Sequence, residues 1–350
     1  MDTTDPDIIF NEEGVCNYCL VAEKRVDPDR SKLNGIISKI RRVGAGKDYN
    51  CLIGLSGGMD SSLVAHHVKE LGLRPLIMVF DNSWNTKLAS ENIEKILEKM
   101  PFDCHWISFN EKDLRTYYEL QIAFLTASVP NAEIPTDHIL NALLYQTAKE
   151  NKIKYIISGG NVANEGTMPE SWSYSSKDLF HIKQIYKKFV GKRLKGLPVM
   201  SLWSYLYYRF IRRIKIVNLL DYYDYNNKEA EGLLEKEYGW IPYGNKHCES
   251  AYTAWFQEYY LPIKFGIDKR KAHFSSLIHS GQMTREEALE EMSKPLPKHQ
   301  DVSREIIQRF ELNPQLFDVM VGLSSRLHRE YENSMWQWNL LSKIYSILKL

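Results

Sequence analysis

This 350-residue chain has no apolar run of membrane length. Its most hydrophobic stretch, Leu197 to Tyr208, is twelve residues long, where a bilayer span needs about 20. Arg209, Arg212, Arg213 and Lys215 follow at once, so the stretch reads as a buried amphipathic helix, with a membrane-surface helix as the alternative. Net charge is also lacking. Forty-five Lys and Arg stand against 44 Asp and Glu, leaving +1, which excludes recruitment of nucleic acid or anionic membrane by a global field. Cysteines are few and odd in number, five in all, which argues against a complete secreted disulfide framework and for a reducing compartment. The chain opens Met1-Asp2-Thr3-Thr4-Asp5-Pro6, acidic and without the apolar core of a signal peptide. It contains neither a GxxxxGK[ST] loop nor a GxGxxG turn, no internal repeat and no low-complexity segment.

What is present is ordinary globular material, 44% hydrophobic and 25% charged. The 21 Tyr and 8 Trp suit ligand or partner surfaces, or aromatic cores. Periodicity is absent over the first 30 residues, which contain Cys16-x-x-Cys19. Ser31 to Arg42 carries Leu33, Ile36, Ile37 and Ile40 at helical spacing. Short apolar runs at Tyr49–Leu55, Pro75–Phe80, Cys104–Phe109 and Ile153–Ile157 suit buried strands. Helical patterns separate them: Leu63, Val64, Val68 and Leu71 before Gly72, Ile93 to Met100 before Pro101, and Ile139 to Ala148 with Thr136 as a potential cap. Alternation of this kind predicts a doubly wound α/β fold with a parallel sheet. Its ligand crevice should lie beyond the carboxyl ends of the strands, where the loops at Ser56, Asp81 and Gly159 fall. After about residue 225 helical patterns dominate, for example Thr284 to Met292 and Met335 to Leu348. The expected organisation is an N-terminal Cys-containing segment (1–30), a nucleotide-binding domain (31–225) and a helical substrate or partner region (226–350).

The sharpest signal is Leu55-Ser56-Gly57-Gly58-Met59-Asp60-Ser61-Ser62. Two glycines allow a tight turn and close approach to an anion. Ser61 and Ser62 are expected to open a helix, whose free N–H groups and dipole favour negative charge. Ser56 and Ser61 add hydroxyl donors, and Asp60 suits a metal such as Mg²⁺ bridging phosphates. A bare Ser-Gly-Gly would read as a strand–helix turn; the full string between an apolar run and an amphipathic helix reads as a polyphosphate cradle.

This string resembles the PP-loop of the ATP pyrophosphatase superfamily, whose folds are adenine nucleotide alpha hydrolase-like. The resemblance implies a five-stranded 3-2-1-4-5 sheet and cleavage of ATP between the α and β phosphates. Ser56, Gly57, Gly58, Asp60 and Ser61 match its pyrophosphate-binding positions, and Asp81 matches the adenosine side loosely. Three further stretches narrow it: Asp5 to Cys19, Phe80 to Thr86, and Lys246-His247-Cys248-Glu249-Ser250 with the segments from Tyr259 to Gln282. Together they resemble the N-acetyl sugar amidotransferases of bacterial lipopolysaccharide and O-antigen biosynthesis. That family implies adenylation of the N-acetyl amide oxygen of a nucleotide-activated sugar, then displacement of AMP by ammonia to leave an acetamidino group. Nothing in the chain reads as a glutaminase, so the resemblance implies separate glutaminase and cyclase-like subunits as the ammonia source, and a cytoplasmic setting.

The expected site follows. Asp60, Ser61, Lys269 and Arg270 are the candidate catalytic residues. ATP is assigned to Ser56, Gly57, Gly58, Asp60, Ser61, Ser62, Asp81, Gly159, Gly160 and Asn161. Asp137, Glu165, Lys246, His247, Glu249 and His273 are assigned to the sugar substrate. The charged residues after 245 read equally as a solvated helix face with salt bridges, and Thr136-Asp137-His138 equally as a helix cap. Cys16 and Cys19 supply half of a tetrahedral zinc site; the family's earlier CxxC would lie just upstream of Met1. Cys51 and Cys104 read as core, and Cys248 is not counted as a ligand. The competing readings are a tRNA-thiolating PP-loop enzyme, drawn to the basic segment His181 to Lys195, and a non-catalytic nucleotide-binding scaffold.

Overall fold

The computed structural model describes residues 1–24 and 28–348. Residues 25–27 of the N-terminal segment and the last two of the C-terminal region lie outside the described residues. Five strands, β1 (Cys51–Gly54), β2 (Pro75–Asp81), β3 (Cys104–Ser108), β4 (Tyr155–Ser158) and β5 (Lys215–Asn218), form one sheet in the order β3-β2-β1-β4-β5. All pairings are parallel, with Leu52 opposite Leu76 on one side and Ile156 on the other. This is the α/β sheet and strand order expected. The central strands alternate between two packed faces, as a two-residue side-chain period requires. Leu52, Leu76, Met78 and Ile156 face one core, and Cys51, Ile53, Ile77, Val79 and Ile157 face the other.

The second face is covered by the helices Arg30–Val43, Met59–Glu70, Lys87–Glu98 and Asn227–Tyr238. Arg30–Val43 starts where the Asp29 carboxylate accepts from the N–H groups of Ser31 and Lys32, and it buries Leu33, Ile37 and Ile40. The first face is covered by Glu111–Ala127, Ile134–Glu150 and Leu179–Val190. Trp84, Tyr252, Trp255, Phe256 and Phe310 join that same core, so the helical region packs into the sheet domain across the 225/226 boundary. Each such fully buried large side chain contributes roughly 1.5–3 kcal/mol.

Four local expectations change. The helix carrying Ile139 begins at Ile134 with Glu133 at the cap position, and the Thr136 hydroxyl instead pairs with that of Tyr117 at 2.6 Å. The helix after the glycine loop begins at Met59, and Ser62 turns fully inward. Cys104 is half-buried rather than core, because β3 is an edge strand with Trp106 exposed. Leu197 to Tyr208 is not a buried helix. Helix starts only at Leu202, continues as a wide π-turn to Ile211, and leaves Trp203 79% exposed.

Candidate active site

The loop between β1 and the Met59–Glu70 helix is held from inside and outside. Within it the Ser61 hydroxyl donates to the Gly58 carbonyl at 3.0 Å and accepts from the Ser56 N–H at 3.2 Å. Gly57 has φ +79°, and a Cβ there would stand 2.3 Å from the Ala89 carbonyl oxygen. A Cβ on Gly58 would lie 2.9 Å from Glu249 Oε1 and 3.0 Å from the Tyr243 hydroxyl. From outside, Trp240 Nε1 donates to the Gly57 carbonyl at 3.0 Å, and the Met59 N–H donates to the Tyr243 hydroxyl at 3.0 Å. The Tyr225 hydroxyl donates to Asp60 Oδ1 at 2.5 Å. Sequence reasoning missed these three aromatics. Their signal was the Tyr-rich stretch at 222–225 and the Tyr and Trp around Gly239 and Gly244, which have no meaning until these segments fold back onto the loop.

A cavity of about 760 Å³ opens above the loop, within the usual size of ligand sites. Ser56, Gly58, Asp60, Ser61, Gly159 and Gly160 reach it from the sheet side. Glu165 reaches it from the Val162–Glu165 turn, and Lys246, His247, Glu249, Lys269, Arg270 and His273 from the C-terminal region. Lys246 Nζ sits between two carboxylates, 3.6 Å from Asp60 Oδ2 and 2.9 Å from Glu165 Oε1. His247 Nε2 lies 3.7 Å from Glu165 Oε1, and His247 holds the left-handed conformation (φ +66°), a strained backbone of the kind that clusters at functional loops. His273 Nδ1 lies 3.5 Å from the Asn164 carbonyl.

Other expected residues serve the scaffold in this structure. Asp81 turns away from the cavity and accepts from the Ser83 N–H at 2.8 Å. Asn161 is buried and caps the Val162–Glu165 turn. Gly57 and Ser62 lie behind the cavity wall. Lys269 pairs with Glu133 at 3.3 Å. Arg270 borders the cavity, but its guanidinium grips Asp268 (2.8 Å) and donates to the Glu291 and Lys294 carbonyls, tying two helices together. Asp137 lies beside the cavity, among Glu133, Lys269 and Glu165.

Burial shapes the electrostatics. It pushes Glu249 up to about 7, with the Asp60 charge adding to the effect, and Glu249 Oε2 is buried without a hydrogen-bond partner. Asp137 is exposed at the surface, and its crowding by protein and the Glu133 carboxylate raise its pKa. The Asp60 carboxyl is raised by burial against the pull of Lys246. Desolvation and the Lys246 charge lower His273 to about 4; they also lower His247, whose side chain keeps 43% of its surface exposed, and both imidazoles are neutral at pH 7. Glu249→Gln tests the first of these. Because the folded-state pKa lies above the unfolded one, the carboxylate's cost is absent below about pH 4.5 and complete above about 7. The variant should come close to the parent at about pH 4 and exceed its stability by about 2 kcal/mol at about pH 8; equal denaturation midpoints at both pH values would refute the assignment.

The donor set for a divalent ion is present: the Lys246 ammonium is a cation already seated between Asp60 and Glu165, two oxygen ligands of the type Mg²⁺ takes. Outside the cavity, Cys16 Sγ lies 3.5 Å from Cys19 Sγ, and Cys19 Sγ lies 3.4 Å from His279 Nε2. The other nitrogen of His279 lies 3.2 Å from the Thr167 hydroxyl. Two thiols and an imidazole are ligand types that zinc takes, although the three ligand atoms do not all lie within 4.8 Å of one another.

Known proteins give four points of similarity. Residues 249–345, which begin at Glu249 and include Lys269, Arg270 and His273, match the family described as "LPS biosynthesis protein WbpG-like, C-terminal domain". An uncharacterized protein of Methanocaldococcus jannaschii is 27% identical over 160 residues, 43% of this chain and 53% of that protein, so the chain spans about half the length of the curated relative it matches. Among solved structures, NMN synthetase from Francisella tularensis aligns over 54% of this chain and 95% of its own, at 15% identity and a TM-score of 0.30. A predicted subunit of tRNA methyltransferase from Methanocaldococcus jannaschii aligns over 53% of this chain and 73% of its own, at 16% identity and a TM-score of 0.30. The chain is therefore similar, over the part that closes the cavity, to a domain of lipopolysaccharide biosynthesis proteins.

Proposed function

We propose that the chain is an ATP-dependent amidotransferase of lipopolysaccharide biosynthesis that converts the N-acetyl group of a nucleotide-activated sugar into an acetamidino group. The observation that carries this reading is the meeting, in one cavity, of a Ser-Gly-Gly-x-Asp-Ser loop at a helix N-terminus with a charged wall from the WbpG-like part of the chain. The loop suits a pyrophosphate, and the wall suits a polar second substrate.

An amide oxygen is a poor leaving group, and adenylation corrects this. The oxygen attacks the α-phosphorus of ATP, the bond from that phosphorus to the β-bridging oxygen breaks, and pyrophosphate departs. Ammonia then adds to the imidoyl carbon, the C–O bond to AMP breaks, and AMP leaves with the former amide oxygen. Each chain residue has a place in this scheme. The Ser56 and Ser61 hydroxyls line the cavity at the N-terminus of the Met59–Glu70 helix, where the polyphosphate would lie. Asp60 and Glu165 would hold Mg²⁺, whose chemistry there would be neutralisation of phosphate charge. Glu249, with a pKa of about 7, is matched to accept the proton that the incoming nitrogen sheds. His247 and His273, neutral at pH 7, orient polar groups of the sugar. Lys269 reaches the cavity and steadies Glu133 at its edge.

Ammonia is proposed to come from glutaminase and cyclase-like partner subunits. The test supplies ATP, Mg²⁺, ammonium and a panel of nucleotide-linked N-acetyl sugars, and follows pyrophosphate release together with the product mass. Replacement of one oxygen by NH in the sugar supports the reading; pyrophosphate release with no sugar converted across the panel rejects it. Zinc is proposed at Cys16, Cys19 and His279. Metal analysis of the purified chain should find about one zinc per chain, lost in Cys19→Ser; a metal-free parent protein that refolds without zinc rejects the site.

A further inference from the structure

The near-zero net charge conceals a strong asymmetry. Between Asp178 and Asp221 the chain carries ten of its 45 Lys and Arg and none of its 44 Asp and Glu. Within this stretch Lys183, Lys187, Lys188, Lys192, Arg193 and Lys195 are exposed, as are Arg213 and Lys215. The same stretch contains the element from Leu202 to Ile211, whose outer face is apolar. Trp203 is 79% exposed and Ile211 71%, and Tyr207 and Phe210 are also exposed. Trp203, Tyr207 and Ile211 follow at i, i+4 and i+8, which puts them along one stripe.

A second stripe lies beside it. The Met335–Leu348 helix turns Trp338 inward onto Tyr205, with ring centroids 5.3 Å apart. Trp336, Leu340 and Ile344 are exposed on it, again at i, i+4 and i+8. Residues 335–350 contain no Asp or Glu. The two touching elements thus expose Trp, Tyr, Leu and Ile in stretches of chain that carry basic residues and no acids of their own, while Glu111, Asp113 and Glu119 of the Glu111–Ala127 helix border the Lys192–Lys195 segment.

We propose that this face docks on an anionic lipid surface, the Leu202–Ile211 element lying in the interface with Trp203 and Ile211 in the headgroup–acyl boundary and the lysines and arginines over the headgroups. Charge complementarity argues for the lipid: Lys192 is paired with Glu119 at 3.0 Å, but the stretch carries nine other basic residues and no acid of its own, an excess that attracts negatively charged headgroups. The aliphatic members argue against nucleic acid as the occupant. Bases stack on aromatic planes, whereas Ile211, Leu340 and Ile344 gain only by leaving water. No helix among the described residues is long and apolar enough to cross a membrane, so attachment would be peripheral.

The experiment uses the full chain in co-sedimentation with vesicles of phosphatidylcholine alone, or with roughly one-third phosphatidylglycerol. Binding should be at least about tenfold stronger to the anionic vesicles and should fall when NaCl is raised to about 0.5 M. Tryptophan emission should shift to the blue on binding. The double variant Trp203→Glu, Ile211→Glu should lose binding while keeping its melting temperature, since both side chains are already in water, and Lys187→Gln, Lys188→Gln should weaken it. Equal affinity for the two vesicle types, or undiminished binding by the double Glu variant, overturns the proposal. So does tRNA binding that vesicles fail to compete away, or a parent dimer that the double Glu variant converts to monomer, since either would assign the face to another occupant.

Discussion

Asp60→Asn is expected to lower pyrophosphate release by at least about a hundredfold, the scale on which a group aimed at developing charge acts, without lowering the melting temperature. Asparagine keeps the shape and the oxygen that accepts from the Tyr225 hydroxyl. It removes the charge that Lys246 neutralises at 3.6 Å, and Lys246 retains Glu165 at 2.9 Å. Burial raises the Asp60 pKa, so its negative charge costs the folded protein something, and losing it should leave stability equal or higher. Activity and stability therefore move apart, which a merely structural carboxylate would not do. Pyrophosphate release at the parental rate with an intact fold would remove Asp60 from the chemistry.

Gly57→Ala carries the second large effect, of the opposite kind. At φ +79° an alanine pays for left-handed backbone, and its methyl would meet the Ala89 carbonyl oxygen at 2.3 Å. Backbone cannot swing aside as a side-chain tip can, so the loop must move. The cost is roughly 3 kcal/mol from the two terms together, with loss of the proposed ATP binding because the loop's own Gly57 carbonyl, which accepts from Trp240, would be displaced. Gly58→Ala should be milder for folding, since its nearest atoms are the side-chain ends of Glu249 and Tyr243, yet it should still disturb the cavity. Thermal melts and nucleotide titrations of the two variants separate the cases; a Gly57→Ala protein as stable as the parent would contradict the geometry.

The limits of sequence reading are visible in particular elements. The fifth strand was expected only through resemblance. Lys215-Ile216-Val217-Asn218 is a half-exposed edge with no continuous apolar run, so no hydrophobic pattern marks it. Leu197 to Tyr208 misled for the converse reason: a hydrophobic run was taken as buried, although its outer stripe faces solvent. Arg270 looked like a phosphate ligand because its motif is dense in charge, but the Asp268 carboxylate beside it and two helix-end carbonyls occupy its guanidinium.

The sequence alone determined the central sheet and the position of the Ser-Gly-Gly loop at a strand–helix junction. Both rest on local physics: apolar runs bounded by turn residues, and glycines and serines followed by a helix start. Only the tertiary structure decided what completes the loop. Tyr225, Trp240, Tyr243, Lys246 and Glu249 lie more than 160 residues further along the chain, and their contacts with Gly57, Gly58, Met59 and Asp60 depend on packing that no local spacing encodes. The same is true of His279 beside Cys19, which pairs two residues 260 positions apart.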